Sequence, residues 1–393
     1  MKKRFYALDV FRGATVAFMI LVNNPGSWTY IYPPFDHAKW HGCTPTDLVF
    51  PFFLFAVGNA LAFTMPRLRQ GGNAAMWKKV ATRTVLIFCI GLFLNAFPFV
   101  RYNADGVLTL KSFQNLRIMG VLQRIALCYF FAAVMIWYLR PARLFTASAL
   151  LLLLYWVMCL VWGGNDPFSL QGWFGTAIDS AVLGENHMYH GEGVAFDPEG
   201  LMSTLPAIVQ VVAGYWAGHF IIREKGLPAE AGNEHANGFY PLLTKLFVAA
   251  ILLVFAGLCW NTVFPLNKKI WTGSFVLYTS GLAIVVLAML IYCIEVKGWR
   301  GAWSRFFDVF GKNPLFIFVL SGVWVRLYGL VRIADGTGDG KTIYRGLGGW
   351  MYNHIFAPLF GNMNGSLLYA VFHLLIFWAI AWWLDKRKIY IKV

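Results

Sequence analysis

The residues between Asn23 and Pro51 gather several side chains that could exchange protons or carry an acyl group, and they join two long apolar runs. His37 is the first candidate among them. An imidazole titrates near neutral pH, so it can accept a proton from an amine or alcohol nucleophile, or take up an acyl group itself. The alternative is a histidine that is only solvated or hydrogen-bonded to a tyrosine. The local sequence leaves both interpretations open.

His41 follows four residues later, in the sequence HAKWH. If this segment is helical, both imidazoles share one face, and that spacing could bind zinc. The segment lacks the glutamate of an HExxH motif and has no third ligand nearby, so we predict no metal site. The six cysteines are scattered, without a CxxC pair, and we interpret them as small packing residues.

Asn23 and Asp47 are the two other catalytic candidates. Asn23 ends the first apolar run, where its amide could donate a hydrogen bond to a developing oxyanion or satisfy carbonyls that Pro25 leaves free. Asp47 stands three residues after Thr44, which is the spacing of a capping box at the start of a helix. Its carboxylate could also orient His37 by accepting a ring N–H.

Two basic features suggest binding of anions. Arg124 lies inside an apolar run next to Gln123, and an arginine buried in lipid requires a polar partner. That partner is either a phosphate or carboxylate, or a structural neighbour such as Gln123 or Asp9. A basic rim near the ends of other runs would attract phosphates or anionic lipid. The rim consists of Arg4, Arg12, Lys78, Lys79 and Arg83.

The composition indicates the class of protein that carries these residues. The 393-residue chain is 59% hydrophobic and only 13% charged, whereas charged residues make up about 25% of soluble domains. Ten apolar runs have the roughly 20 residues that cross a membrane as a helix. They cover residues 12–30, 44–65, 79–98, 117–138, 143–163, 201–222, 243–264, 272–294, 314–333 and 366–384. We therefore predict an all-α, polytopic helix bundle that forms a single transmembrane domain, residues 1–393.

The distribution of Lys and Arg predicts the orientation of this bundle. Loops on the side of the N-terminus hold most of the 33 Lys and Arg residues. Because these residues gather in cytoplasmic loops, we predict that both termini are cytoplasmic. The segments 23–47, 164–200 and 334–365 then contribute to the extracytoplasmic side. Topology accounts for the net charge of +15, and we predict no nucleic-acid partner.

Three polar segments between the runs have distinct sequences. Loop 164–200 contains no Lys or Arg but many acidic and aromatic residues, which suits a cationic or hydroxyl-rich ligand. Residues 226–238 have the small, Gly-punctuated sequence of a flexible linker. Residues 332–349 include DGTGDG, which we interpret as a cluster of turns, because it lacks the spacing of an EF-hand calcium loop.

Several stretches together resemble the heparan-α-glucosaminide N-acetyltransferases and their bacterial relatives. The run HAKWHGCTPTDLVFPFFLFAVG at residues 37–58 is long and specific. The other matching stretches are ALDVFRG (7–13), VNNPG (22–26), RIMGVLQRIALCYF (117–130), VLGENHMY (182–189), FDPEG (196–200), PLNKKIW (265–271) and KIYIKV (388–393). The resemblance implies a bacterial-type relative that lacks the luminal N-terminal portion of the animal enzyme.

The resemblance also implies an enzyme that carries an acetyl group from cytosolic acetyl-CoA to an amino sugar on the far side of the membrane. The family's proposed active histidine falls on His37, and two further family positions fall on Asn23 and Asp47. In that case His37 deprotonates the sugar amine or carries the acetyl group itself, while Asn23 stabilises the oxyanion. The sequence does not choose between the direct and the two-step route.

For the acetyl-CoA donor, the family's Gln–Arg pair falls on Gln123 and Arg124. We add Arg12 of the basic rim, because that rim would attract the phosphates of the donor. The acidic outer loop would suit the acceptor sugar, with Trp173 or Trp28 stacking on its face. Acetyl-CoA is thus predicted as a co-substrate, without a metal.

The predicted partners are acetyl-CoA, an amino-sugar or glycan acceptor and membrane lipid, and the predicted location is the inner (cytoplasmic) membrane. Whether two copies pair as a homodimer is left open. One alternative is a transporter of a sugar or lipid intermediate, which would have pseudo-symmetric halves with paired broken helices. The sequence contains no such pairing. The other alternative is an O-acyltransferase of envelope glycans, which only the acceptor would distinguish.

Overall fold

The computed structural model describes residues 5–103, 106–225, 239–338 and 341–391, and most of these are helical. The helices are α1 (Tyr6–Asn23), α2 (Val49–Gln70), α3 (Gly72–Ala96), α4 (Val121–Tyr138), α5 (Pro141–Trp162), α6 (Gly175–Leu183), α7 (Leu201–Lys225), α8 (Phe239–Asn261), α9 (Gly273–Ile291), α10 (Ala302–Lys312), α11 (Pro314–Leu330), α12 (Leu347–Met351), α13 (Ala357–Phe360) and α14 (Asn362–Lys386). The predicted linker at 226–238 and Arg4 of the basic rim lie outside the described residues.

Nine of the described helices are long and apolar enough to cross a membrane, and α10 with α11 makes a tenth span if this bent pair is counted as one. This agrees with the predicted bundle of about ten helices. The pair bends by 82° at Asn313, where Pro314 follows and supplies no N–H to the helix. The first span was predicted too late in the chain. It begins at Tyr6 and ends at Asn23, because Pro25 disfavours further helix.

The helices α2 and α7 pack closely against each other at the centre of the bundle. A Cβ atom on Gly58 of α2 would lie 1.9 Å from the carbonyl oxygen of Val211. A Cβ atom on Gly214 of α7 would lie 2.0 Å from the carbonyl oxygen of Phe55. Glycine at both positions therefore lets the two backbones approach, as small residues do in membrane helix pairs. This close approach packs the first half of α2 against α7.

Loops that the sequence assigns to the outer side meet at one end of the bundle. In the loop after α1, the indole N–H of Trp40 donates to the carbonyl of Phe168 at 2.7 Å, in the loop after α5. The backbone N–H of Gly42 donates to the carbonyl of Leu266 at 2.8 Å, in the loop after α8. These three loops therefore form one layer over the start of α2.

The segment 332–349 was wrongly predicted as a cluster of turns. Its residues form two antiparallel strands, Arg332–Gly338 and Lys341–Gly346, and residues 339–340 of the DGTGDG motif lie outside the described part. β-Branched and aromatic residues at Thr342, Ile343 and Tyr344 favour extended backbone despite the neighbouring glycines. The first hairpin of the chain, Val100–Tyr102 with Leu108–Leu110, lies in another loop, so the all-α prediction holds for the bundle and not for these two loops.

Candidate active site

His37 lies in the loop between α1 and α2, and its side chain is 39% exposed. Its Nδ1 atom is 2.7 Å from Oδ1 of Asp47, whose side chain is 1% exposed. Because several donors surround this carboxylate, it is the acceptor, and Nδ1 carries the proton. That tautomer leaves Nε2 as the ring nitrogen that can accept a proton or attack a carbonyl.

The other oxygen of Asp47 caps the helix start. Oδ2 accepts the backbone N–H groups of Thr44 and Ala38, each at 3.0 Å, and the Thr44 hydroxyl at 3.1 Å. The predicted capping box is thus confirmed on the short 3-10 turn Pro45–Leu48 that leads into α2. The two roles considered for Asp47 are combined, since one oxygen fixes the helix start and the other contacts His37.

Lys268 completes this cluster, although it was not identified as a site residue from the sequence. Its Nζ atom lies 3.1 Å from Nδ1 of His37 and 3.3 Å from Oδ1 of Asp47. Burial lowers the pKa of Lys268, and the neighbouring carboxylate of Asp47 opposes this change. The available signal was the PLNKKIW stretch at 265–271, which places two lysines in an outer loop.

His41 does not share a helical face with His37, because residues 37–43 are not helical. Its Nδ1 atom is 3.4 Å from the side-chain nitrogen of Asn267, and its ring meets Trp40 edge-on. Burial lowers the pKa of His41, with Asp166 opposing. The zinc alternative depended on a helix that does not form. Within the described ranges, no three His, Cys, Asp or Glu side chains come together as a metal-binding group.

A cavity of about 310 Å³, lined by both apolar and polar side chains, lies between α1, α3, α4 and α11. Asn23 and Gln123 both line it, together with Arg117 and Arg326, whereas His37 does not. The structure therefore brings His37 together with Asp47, and Asn23 together with Gln123. It does not place Asn23 in the same hydrogen-bonded group as His37.

The structural role considered for Asn23, which was to satisfy carbonyls at the end of the first helix, is taken by Asn24. Asn24 donates to the carbonyl of Ile20 at 2.7 Å and so satisfies the last turn of α1. Asn23 is exposed and lines the cavity. On the opposite wall, the amide of Gln123 is anchored by a 2.9 Å hydrogen bond to the carbonyl of Ile118. Asn23 and Gln123 thus line the same cavity, as do two further amide residues, Asn24 and Asn95.

Arg124 is fully buried, and its observed partners belong to the protein. Its Nη2 atom donates to the carbonyl of Pro198 at 2.6 Å and contacts the hydroxyl of Ser203. The guanidinium also lies 5.1 Å from the centre of the Trp271 ring. The structural partners expected from the sequence, Gln123 and Asp9, are therefore wrong. The partners are the loop before α7 and Trp271, because the fold brings that loop over α4.

Arg12, which the sequence analysis assigned to donor binding, lies on α1 well away from Asn23. Eleven residues separate them, which is roughly 16 Å along a helix. Arg12 lies 3.4 Å from Asp9 and donates to the carbonyl of Gly311 at 3.3 Å. The three residues assigned to the donor thus occupy different surroundings: Arg12 between helices, Gln123 on the cavity wall and Arg124 in the interior.

A second ionic cluster, also missed from the sequence, holds the loop before α7. Arg117 contacts Asp197 through Nε at 3.0 Å and Nη2 at 2.6 Å, and it also binds Glu199. The guanidinium stacks 4.8 Å from the centre of the Tyr189 ring. Burial alone would lower the pKa of Arg117, but these carboxylates raise it overall. Although burial would raise the pKa of Glu199, Arg117 lowers it overall.

The two tryptophans considered for stacking on a sugar differ in exposure. Trp28 is 66% exposed, whereas Trp173 is 2% exposed. The indole N–H of Trp173 donates to the Tyr155 hydroxyl at 3.1 Å, and its ring packs edge-on against Phe196 at 5.5 Å. Trp173 is therefore a core residue, because its loop folds back onto the bundle, and Trp28 alone stays a candidate for stacking.

No known family model matches the chain. It is 29% identical to the heparan-alpha-glucosaminide N-acetyltransferase of Homo sapiens over 365 residues, which cover 80% of this chain and 52% of the relative. It is 28% identical to the protein of the same name from Mus musculus over 372 residues, covering 80% and 53%. The chain spans about half the length of these curated relatives. Both matches support membership of the heparan-alpha-glucosaminide N-acetyltransferase family, which the residues at 37–58 predicted.

Proposed function

We propose that the protein is a membrane acetyltransferase that moves an acetyl group from cytosolic acetyl-CoA to an amino sugar on the periplasmic side. The observation that carries this proposal is the fixed imidazole of His37, whose Nδ1 binds the buried carboxylate of Asp47 while Nε2 is left to react. The names of both relatives describe N-acetyl transfer to a glucosaminide, and this supports the choice of donor group and acceptor class.

In the direct route, Nε2 of His37 takes the proton from the amino nitrogen of the sugar as that nitrogen attacks the thioester carbonyl. The carbon–sulfur bond breaks, the acetyl group becomes an amide, and the CoA thiolate recovers the proton from the imidazolium. Asp47 stabilises that imidazolium through the Nδ1–H group. In the two-step route, Nε2 attacks the thioester carbon, the carbon–sulfur bond breaks and CoA leaves as the thiolate, which gives an acetylimidazolium whose Nδ1–H stays on Asp47. The sugar amine then attacks the acetyl carbon, the bond from that carbon to Nε2 breaks, and the proton lost by the amine balances the thiolate.

We assign the cavity to a part of the donor other than the reacting thioester, because His37 does not line it. The amide groups of Asn23 and Gln123 can donate hydrogen bonds to polar atoms of the donor there, and Arg326 gives the wall positive charge. The oxyanion role expected for Asn23 would require its amide to come within reach of the carbonyl that His37 attacks. Arg124 is enclosed by protein, so we assign it to supporting this wall and not to touching the donor. Trp28 remains our candidate for contact with the sugar ring.

We propose that both termini are cytoplasmic and that the His37 end faces outward from the inner membrane. The distribution of Lys and Arg supports this orientation. A single cysteine at Trp28, introduced into a chain whose exposed native cysteines are replaced, should react with a membrane-impermeant maleimide in intact cells. A cysteine placed at Trp303, which is exposed in the first turn of α10, should react only after the cells are opened. The reverse pattern would contradict the orientation.

The activity is tested with purified full-length protein, acetyl-labelled acetyl-CoA and two matched acceptors, glucosamine and glucose. We expect label in an amide on glucosamine, none on glucose, and one CoA thiol released for each acetyl group transferred. Ester-linked label would favour the O-acyltransferase alternative. Uptake of sugar into vesicles without any thioester consumption would favour the transporter. Without acceptor, label trapped on His37 would support the two-step route.

A further inference from the structure

Lys268 has a position in this site that neither route above uses. Its Nζ atom lies within 3.1 Å of Nδ1 of His37 and 3.3 Å of Oδ1 of Asp47, and its side chain is 22% exposed. Since Nδ1 already gives its N–H to Asp47, it has no lone pair for an ammonium donor. Burial lowers the pKa of Lys268, whereas its contact with the carboxylate of Asp47 at 3.3 Å favours the ammonium form. In that form Lys268 binds the carboxylate and acts on the ring through its charge.

We propose that Lys268 is a positioning residue that keeps His37 in its neutral, proton-accepting form, an inference that rests on the function proposed above. An ammonium this close to the ring raises the free energy of the imidazolium, whereas the carboxylate of Asp47 lowers it. The effects of these two opposite charges on the free energy of the imidazolium therefore partly cancel. His37 is thereby able to take up a proton and to return it.

The other charged and titratable groups near the ring do not supply this effect. The carboxylate of Asp36 accepts the backbone N–H of His37 at 2.8 Å and so holds the backbone. Burial raises the pKa of the Cys43 thiol to about 12, so that group stays neutral. Glu199 acts on Lys268 from the second ionic cluster, where it is bound to Arg117. Among the contacts described, Lys268 supplies the positive charge at Nδ1.

The adjacent Lys269 provides a matched control. Its Nζ atom binds Glu192 and the carbonyl of Lys39, each at 2.8 Å, and it lies 5.6 Å from the centre of the Trp40 ring. It is a lysine of the same loop with its own carboxylate partner. Replacing it should leave the electrostatics of His37 unchanged.

The direct test measures the reaction of His37 with diethyl pyrocarbonate, which modifies neutral imidazole, as a function of pH. The extent of modification at His37 is read by mass spectrometry in full-length wild type, Lys268→Met, Lys268→Arg and Lys269→Met. Removal of the nearby cation favours the imidazolium. In Lys268→Met the pH midpoint of His37 modification should therefore rise by about one unit, which is a tenfold change in the protonation equilibrium. Lys268→Arg and Lys269→Met should keep the wild-type midpoint. Should Lys268→Met fail to fold, Lys268→Gln makes the same comparison.

Acetyl transfer provides the second readout. Here kcat is measured as a function of pH. At acidic pH the kcat of Lys268→Met should be about tenfold below wild type, and it should recover as the pH rises, with KM for acetyl-CoA unchanged. Coincident modification curves for wild type and Lys268→Met would overturn the inference, as would a loss of kcat that is the same at every pH. The modification assay needs no turnover. An inactive wild type would therefore refute the proposed function without affecting the test of Lys268.

Discussion

Two ionic clusters occupy the same end of the bundle, and they differ in whether their charges can change. The His37 cluster consists of His37, Asp47 and Lys268, and the Arg117 cluster consists of Arg117, Asp197 and Glu199. In the first, a partly exposed imidazole has a ring nitrogen, Nε2, that can accept or give up a proton. In the second, the pKa of Arg117 is raised and that of Glu199 is lowered, so both groups keep their charge.

This difference shows that a charged cluster indicates chemistry only when one member can change its protonation state within the working pH range. The Arg117 cluster has shorter ion pairs and deeper burial, yet it can only hold the loop before α7 in place. The His37 cluster can move a proton. Variants in the two clusters should therefore separate loss of acetyl transfer from loss of stability, and the variants below are ordered by their expected effect on transfer.

His37→Ala should have the largest effect. It removes the proton acceptor in the direct route and the acetyl carrier in the two-step route, so transfer should fall by about 10³- to 10⁴-fold. The midpoint temperature of unfolding should stay close to wild type, because the side chain is partly exposed and lies in a loop. Turnover is compared with His41→Ala, which should retain most of it. Equal activity of the two variants would place the chemistry elsewhere.

Asp47→Asn should reduce transfer less, by about 10- to 100-fold, because the ring loses its charged acceptor and its fixed tautomer. It should also destabilise the protein by about 1 kcal/mol, because an amide cannot accept hydrogen bonds from the ring and the helix cap together. The control is Asp36→Asn, since Asp36 contacts only the backbone of the same histidine. Loss of stability without loss of transfer would mean that Asp47 serves only as a cap.

Arg117→Met should affect stability more than transfer. It leaves Asp197, which is fully buried, and Glu199 without their cation, and the free energy of unfolding should fall by about 3 kcal/mol. Transfer by the molecules that remain folded should fall less than in either variant above. Unfolding is compared with that of Arg101→Met, an exposed arginine of the first hairpin. Identical unfolding of the two would remove the structural role from the Arg117 cluster.

The bundle could be predicted from sequence because a long apolar run in a bilayer can satisfy its backbone hydrogen bonds only as a helix or in a closed barrel. The pairing of His37 with Asp47 was also accessible, since the TPTD spacing places the carboxylate at a helix start ten positions from the ring. Lys268 was not, because 231 positions separate it from His37 and no local pattern relates them. Trp173 was misjudged for a similar reason, since its burial depends on how a long loop folds back.

Asp179 binds the start of α7, next to the loop that the Arg117 cluster holds. It could break the comparison between the two clusters, because it is a titrating group in a part of the fold to which we assign only a structural role. It lies in α6, where Oδ1 accepts the backbone N–H of Leu201 at 2.9 Å, and Oδ2 has no hydrogen-bond partner among the described residues. Burial raises the pKa of Asp179 from 3.8 to about 7. The folded state therefore binds a proton that the unfolded state has lost. The contribution of Asp179 to stability should be greatest below about pH 4 and should be lost as the pH rises to about 7.

Asp179→Asn removes this titration while keeping an oxygen for the N–H of Leu201. The variant should gain stability over wild type as the pH rises from 4 to 7, whereas its acetyl transfer at a given pH should be unchanged. Midpoint temperatures of both proteins and of the exposed control Asp166→Asn are measured across this range. If the wild-type and Asp179→Asn curves run parallel, the carboxyl is ionised in the folded protein. A fall in transfer would instead place a second titrating group in the reaction, and the two clusters would no longer divide into one for chemistry and one for structure.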